Sequence, residues 1–262
     1  MLTLVWGGQQ VIASSLFANQ RSGEGCCDFG QISPTDASAS GFTNAANSGL
    51  TGMAYDSNND ILYGITNASP QPLYTVNQAS GALTLIANTN LFDPVGLAFD
   101  DLTGTLWASG NGNAGQGIDG KYYKLNTTTG VPTLTLNAGM ERVDALAFGN
   151  GKLYVLPETG SGPIMVVNQT TGDATSIGSA LPNLASWQAL AFDRDTDLLY
   201  AGACCGPPAL YSVDPGTGST LHVGNVGSFE RVQALAPSVR VPEPATVSLL
   251  GMGAMGLMRR RR

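Results

Sequence analysis

Four cysteines stand as two vicinal pairs, Cys26-Cys27 and Cys204-Cys205. Four thiols allow three pairings. Bridges between the pairs would enclose about 178 residues, and the loop-entropy argument gives such a cross-link about 5 kcal/mol, whereas a ring between adjacent cysteines gains little from that term. A structural disulfide clamp is the expectation, with vicinal disulfides or a metal or redox site as the alternatives. Thiol-only zinc sites usually place two residues between paired cysteines, and here there are none. The run Asp193-Arg194-Asp195-Thr196-Asp197 invites a calcium reading. An EF-hand loop needs glycine at its sixth position and glutamate at its twelfth, but Leu198 and Cys204 occupy those places. Hydrogen-bonded Asx turns are expected here and in the equivalent turns Asp56 to Asp60 and Asp100 to Gly104, with calcium on Asp193, Asp195 and Asp197 as the one cofactor alternative.

A near-duplicate, Glu141-Arg142-Val143-Asp144 and Glu230-Arg231-Val232-Gln233, leads into two hydrophobic stretches, and Trp187-Gln188 stands at the matching point of a third. Glu141, Arg142, Asp144, Trp187, Glu230, Arg231 and Gln233 are therefore candidates for a ligand-binding face, with local Glu–Arg ion pairing as the simpler account of the charged residues. Exposed pairs of that kind contribute little stability. The single histidine, His222, follows a turn where exposure is expected. No nucleophile elbow, phosphate-binding glycine loop or histidine-rich metal motif occurs, so no residue is assigned a catalytic role.

The elements that would position these residues repeat along the chain. A hydrophobic stretch recurs at Gly52-Met53-Ala54-Tyr55-Asp56, Gly96-Leu97-Ala98-Phe99-Asp100, Ala145-Leu146-Ala147-Phe148-Gly149, Ala189-Leu190-Ala191-Phe192-Asp193 and Ala234-Leu235-Ala236-Pro237. Its central alanines, at 54, 98, 147, 191 and 236, are spaced by 44, 49, 44 and 45 residues. Regular spacing in this range signals a repeat architecture. Each unit continues with a leucine-aromatic strand (Leu62-Tyr63, Leu106-Trp107, Leu153-Tyr154, Leu199-Tyr200). A third strand follows, ending at Asn77, Asn126, Asn168 or Asp214, then a glycine turn (Gly81, Gly130, Gly172, Gly218) and a short fourth strand. Glycine supplies the positive φ that such turns require.

Four short antiparallel strands per unit make the blade of a β-propeller. The expected fold is all-β, with five four-stranded blades. Four blades are complete, and the last unit offers only its first strand, Val232 to Val239. Three N-terminal strands, assigned to Gln10–Ser14, Asp28–Ser33 and Gly41–Thr43, would complete the fifth blade. Closure of this kind removes exposed sheet edges. The units resemble the bacterial propeller repeats grouped as NHL and YVTN types, a resemblance that speaks to fold and not to activity.

Composition agrees with an exported β protein. Only 12% of the 262 residues are charged, and 34 are glycine. Without the last 21 residues, Lys+Arg falls from 12 to 8 and Asp+Glu from 19 to 18, leaving −10. A body this acidic is a poor partner for nucleic acid, whose phosphates require a basic face.

The C-terminus differs from the repeats. Pro242-Glu243-Pro244 precedes fourteen uncharged residues, Ala245 to Met258, and then Arg259, Arg260, Arg261 and Arg262. As a helix the uncharged stretch would reach about 21 Å, short of the roughly 30 Å hydrocarbon core. Snorkelling arginines and local thinning can make up the difference, and the basic end would stay cytoplasmic. This order of parts resembles the PEP-CTERM sorting signal of Gram-negative bacteria. The resemblance implies export, transient anchoring in the inner membrane by a short apolar helix, processing by an exosortase, and release to the cell surface or matrix. The chain divides accordingly into a propeller, residues 1–240, and a sorting signal, residues 241–262. A secretory signal needs a basic n-region and an apolar stretch, which Met1 to Gln10 do not supply, so a start upstream of Met1 is expected.

Taken together, these features suggest a non-enzymatic exported propeller that binds a surface protein or an exopolysaccharide of the matrix. The alternative is a metal-dependent hydrolase. Gluconolactonase-type propellers hold a central metal with carboxylate and amide groups, which Asp144 and Gln233 would have to supply.

Overall fold

Alternating apolar and polar residues, punctuated by Asn/Asp-Gly turns, produce twenty strands and no helix among the described residues. The computed structural model describes residues 15–22, 25–44, 49–112, 120–157, 162–182, 186–204, 208–227 and 231–238. In chain order the strands are β1 (Leu16–Ser22), β2 (Gly25–Ile32) and β3 (Ala39–Asn44), then β4 (Leu50–Asp56), β5 (Ile61–Thr66), β6 (Pro72–Val76) and β7 (Leu83–Asn88). The next unit holds β8 (Pro94–Asp100), β9 (Thr105–Gly110), β10 (Lys121–Leu125) and β11 (Pro132–Asn137). It is followed by β12 (Val143–Gly149), β13 (Lys152–Pro157), β14 (Met165–Val167) and β15 (Ala174–Ser176). Last come β16 (Ser186–Asp193), β17 (Leu198–Cys204), β18 (Ala209–Val213), β19 (Thr220–Asn225) and β20 (Arg231–Pro237).

These are five antiparallel four-stranded blades. Blades one to four are β4–β7, β8–β11, β12–β15 and β16–β19, and the fifth combines β20 with β1, β2 and β3. The innermost strands β4, β8, β12, β16 and β20 pack in sequence, and β20 returns to β4, so the ring is closed. Blades four and five also share one ladder position, Cys204 opposite Arg231. The expected propeller and its C-terminal closing strand are present.

One strand assignment needs correction. The second strand of the closing blade is β1, not Gln10–Ser14, which lies outside the described residues. Leu16-Phe17 is the fifth copy of the leucine-aromatic pair. Phe17 stacks on Phe29 at 5.8 Å and meets Tyr55 at 6.2 Å. The same interblade contact recurs as Tyr63 on Phe99 at 5.9 Å and Tyr154 on Phe192 at 6.0 Å. In each case the second-strand aromatic of one blade packs against the inner-strand aromatic of the next. Such ring pairs contribute about 0.5–1.5 kcal/mol beyond area burial, and three of the five copies of the leucine-aromatic motif make one.

Burial falls from the axis outward. Inner strands β4, β8 and β12 are buried at nearly every position, whereas outer strands β7 and β11 alternate toward solvent. The inner strands approach closely because Gly52, Gly96, Ala145, Ala189 and Ala234 present almost no side chain there. A Cβ on Gly52 would lie 2.7 Å from the Leu97 nitrogen. The turns after the third strands form as expected: Asn77, Asn126, Asn168 and Asp214 each accept two backbone N–H bonds, and the glycines that follow have positive φ. The apolar C-terminal helix expected after residue 244 lies outside the described residues.

Candidate functional site

All five inner strands run in the same direction, so the channel has two unlike mouths. The upper mouth, where these strands begin, is a cavity of about 200 Å³ with a polar lining. Period-two geometry fills it: Thr51, Asp144, Gln188 and Gln233 occupy equivalent positions on four inner strands, and Arg142 and Arg231 stand two residues before Asp144 and Gln233. Neighbouring positions Leu50, Val143, Trp187 and Val232 point the other way, into the core.

That alternation sorts the candidates. Arg142, Asp144, Arg231 and Gln233 are brought together at the upper mouth. Trp187 is not there. It is buried against Tyr211, with ring centroids 5.2 Å apart, and its indole N–H donates to the Pro182 carbonyl at 3.3 Å. Its neighbour Gln188 takes the mouth position, and aligning the repeats on their central alanines would have shown this, since Trp187 then matches Val143 and Val232. Glu141 is exposed on the turn before β12, where its carbonyl accepts the Gly112 N–H at 2.7 Å. Glu230 lies outside the described residues.

Sequence reasoning missed the network that holds this mouth in shape. Asp93, with φ of 40°, accepts hydrogen bonds from Asn67 at 3.2 Å and Asn111 at 3.0 Å. Asn111 in turn accepts the Val143 N–H at 2.9 Å. Three blades are thus tied by one set of amide and carboxylate groups. A non-glycine residue with positive φ is costly and persists where its surroundings impose it. Nothing in the sequence around Asp93-Pro94 advertises the role, because its partners come from two other turns.

Two acceptors at this mouth have no partner among the described residues. The side-chain oxygens of Gln188 and Gln233 are buried and make no hydrogen bond among the described residues. Buried polar atoms are normally satisfied, and an orphan costs about 1–3 kcal/mol. Both residues line the cavity, and a turn of either amide toward the opening brings an acceptor to whatever enters it.

The remaining candidates lie elsewhere. Asp193 accepts the Asp195 N–H at 3.0 Å and the Thr196 hydroxyl at 3.0 Å, which makes an Asx turn, while Asp197 accepts from the Asn150 amide of the neighbouring blade at 3.3 Å. No group of three or more His, Cys, Asp or Glu among the described residues is arranged to hold a metal ion. His222 is exposed on β19 beside Tyr211. On the ladder, Cys204 of β17 faces Arg231, Arg231 faces Arg21 of β1, and β1 pairs with β2, which carries Cys26 and Cys27. Cys204 is therefore at the seam between blades four and five, Cys26 and Cys27 are separated from it by β20 and β1, and Cys205 is outside the described residues. Pro242, Glu243, Pro244 and Arg259 to Arg262 also lie outside them.

Comparison with known proteins decides what the end of the chain is. Residues 240–262 match the PEP-CTERM protein-sorting motif. The PEP-CTERM motif implies export and processing by an exosortase at the membrane of a Gram-negative bacterium. No curated protein matches the sequence. Among solved structures, a chain of a nidogen/laminin complex is similar at 16% identity and a TM-score of 0.58, over 87% of this chain and 82% of that one. A protein of unknown function from Bacteroides thetaiotaomicron is similar at 15% identity and a TM-score of 0.53, over 80% of this chain and 57% of that one. TolB from Acinetobacter baumannii is similar at 8% identity and a TM-score of 0.51, over 80% and 52%. Likeness at such identities concerns the fold alone.

Proposed function

We propose that this PEP-CTERM protein is a non-enzymatic propeller, released from the membrane by exosortase processing, that binds a matrix or surface polysaccharide at its upper mouth. The observation that carries this reading is the pair of buried oxygens on Gln188 and Gln233, without a hydrogen-bond partner among the described residues, on side chains that line the mouth with Arg142, Asp144 and Arg231. A polyhydroxyl ligand matches that set: its O–H groups donate to the amide oxygens and to Asp144, and its oxygens accept from the arginines. Binding then supplies donors that the described residues do not.

Glycan-array binding by protein ending at Ser238 is the test, with Gln233→Leu and Arg231→Ala as the altered forms. Array signal lost in both, with unchanged melting, supports the reading. Equal signal in all three overturns it. Turnover of a lactone with divalent metal, abolished by Asp144→Asn, would replace it with the hydrolase reading. Mass spectrometry of protein in the culture medium tests the processing step: chains ending before Arg259 are expected, and an intact Arg262 would refute it.

A further inference from the structure

The lower mouth, where the inner strands end, has a different chemistry. Met53, Leu97, Leu146, Leu190 and Leu235, one from each blade, are almost fully buried and close the floor. Above them Tyr55, Phe99, Phe148 and Phe192 form the walls of a cavity of about 200 Å³. An apolar cavity of about 150 Å³ suffices for benzene, so this one has room for a single aromatic ring with a short substituent.

Its rim is acidic: Asp101 from the turn of blade two and Asp193 and Asp195 from that of blade four line it, against the one cation Arg194 among its lining residues. Arg194 shows what this rim accepts. It leaves blade four, crosses to blades one and two, donates to the Ser57 hydroxyl at 3.3 Å and forms an ion pair with Asp101. The arginine side chain is 45% exposed, whereas that of Asp101 is 7% exposed. The anion is built into the rim, and its cation is a solvated side chain that can swing away.

We propose that the lower mouth is a binding site for a small organic cation, an aromatic body carrying an amidinium or ammonium group, which seats its ring in the cavity and takes the place of Arg194 on Asp101. The ring gains apolar burial, and the charge meets a carboxylate held in a partly desolvated, net-negative mouth. This site lies at the opposite end of the channel from the polysaccharide site and stands or falls separately from it.

Benzamidinium is the probe, with neutral benzamide and anionic benzoate as isosteres, measured by calorimetry and ligand-observed NMR on protein ending at Ser238. Benzamidinium should bind at least about tenfold more tightly than benzamide, and benzoate should not bind. Arg194→Ala, a change at an exposed side chain, should tighten benzamidinium binding by about tenfold or more, because Asp101 keeps the Ser57 N–H bond but loses its cationic partner. Asp101→Asn should erase the preference for the cation over benzamide. Should that variant fail to fold, the Arg194→Ala measurement decides alone. The proposal is overturned if benzamide or benzoate binds as well as benzamidinium, if Arg194→Ala weakens binding, or if Arg194→Ala shows no benzamidinium binding up to about 10 mM, a threshold of weak affinity near −3 kcal/mol.

Discussion

The Ser238 N–H donates to the Ser15 carbonyl at 3.0 Å, and the two hydroxyls lie 2.7 Å apart, joining positions 223 residues distant in sequence. These bonds finish the ladder between β20 and β1, in which Leu16 faces Pro237 and Phe17 faces Ala236. The ring is closed by hydrogen bonds between the two ends of the described chain, with the sorting segment beyond them. Ending the protein at Ser238 should therefore leave its thermal midpoint within about 2 °C of the longer form, in keeping with a change of under about 0.5 kcal/mol. Ending it at residue 230 removes an inner strand, exposes the edge of β1 and uncovers the faces of β4 and β16 that pack against β20. That form should lose cooperative melting in a circular dichroism scan.

Close approach at the axis depends on small residues. A Cβ on Gly96 would lie 2.7 Å from the Ser109 hydroxyl and 2.9 Å from the Leu146 nitrogen, where backbone cannot yield cheaply. Gly96→Ala should destabilise by about 2–3 kcal/mol through overpacking. Gly104→Ala is the control: it meets nothing within 4 Å but sits at φ of 66°, so the cost is about 1–2 kcal/mol of backbone strain. Urea titration of both variants should rank them in that order.

How much was legible in the sequence follows from the same geometry. Repeat spacing and alternation specify blades, because each blade is a local hairpin ladder whose register is visible within about 45 residues. The central alanines and the asparagine turns are legible for this reason. Leu16-Phe17 escaped notice because its first strand lies 215 residues away, so the motif lacked its usual prelude. Trp187 looked like a binding residue, yet one step of strand alternation turned it into core and gave the mouth to Gln188. The Asn67–Asp93–Asn111 network was invisible because three separate turns contribute to it and none carries a pattern of its own.

Tyr122 offers a test of polar burial. Its side chain is fully buried, its hydroxyl makes no hydrogen bond among the described residues, and burial pushes its ionisation well above the ordinary tyrosine range. Tyr122→Phe removes an unsatisfied oxygen and keeps the ring. The variant should be as stable as the parent or more so, by up to about 1 kcal/mol. A loss above about 1 kcal/mol would show that the hydroxyl has a partner, such as a buried water.

Acid sensitivity should trace to the turns. The Gly216 and Thr217 backbone N–H groups hold the Asp214 carboxyl below its ordinary range, and the Gln78 amide, then the Tyr55 hydroxyl, do the same for Asp60. A folded value below the unfolded one means that the unfolded chain binds more protons in the interval between them. The stabilisation is complete above the unfolded value, near pH 4, and is lost as pH falls through the lower folded values. Thermal midpoints should therefore be level above about pH 5 and decline below about pH 4. The double variant Asp60→Asn, Asp214→Asn should decline less steeply over that acid range, since its turn acceptors no longer titrate. An unchanged acid slope in the double variant would place the sensitivity in other carboxylates, of which Asp36, held low by Ser33 and Ser38, is the next to change.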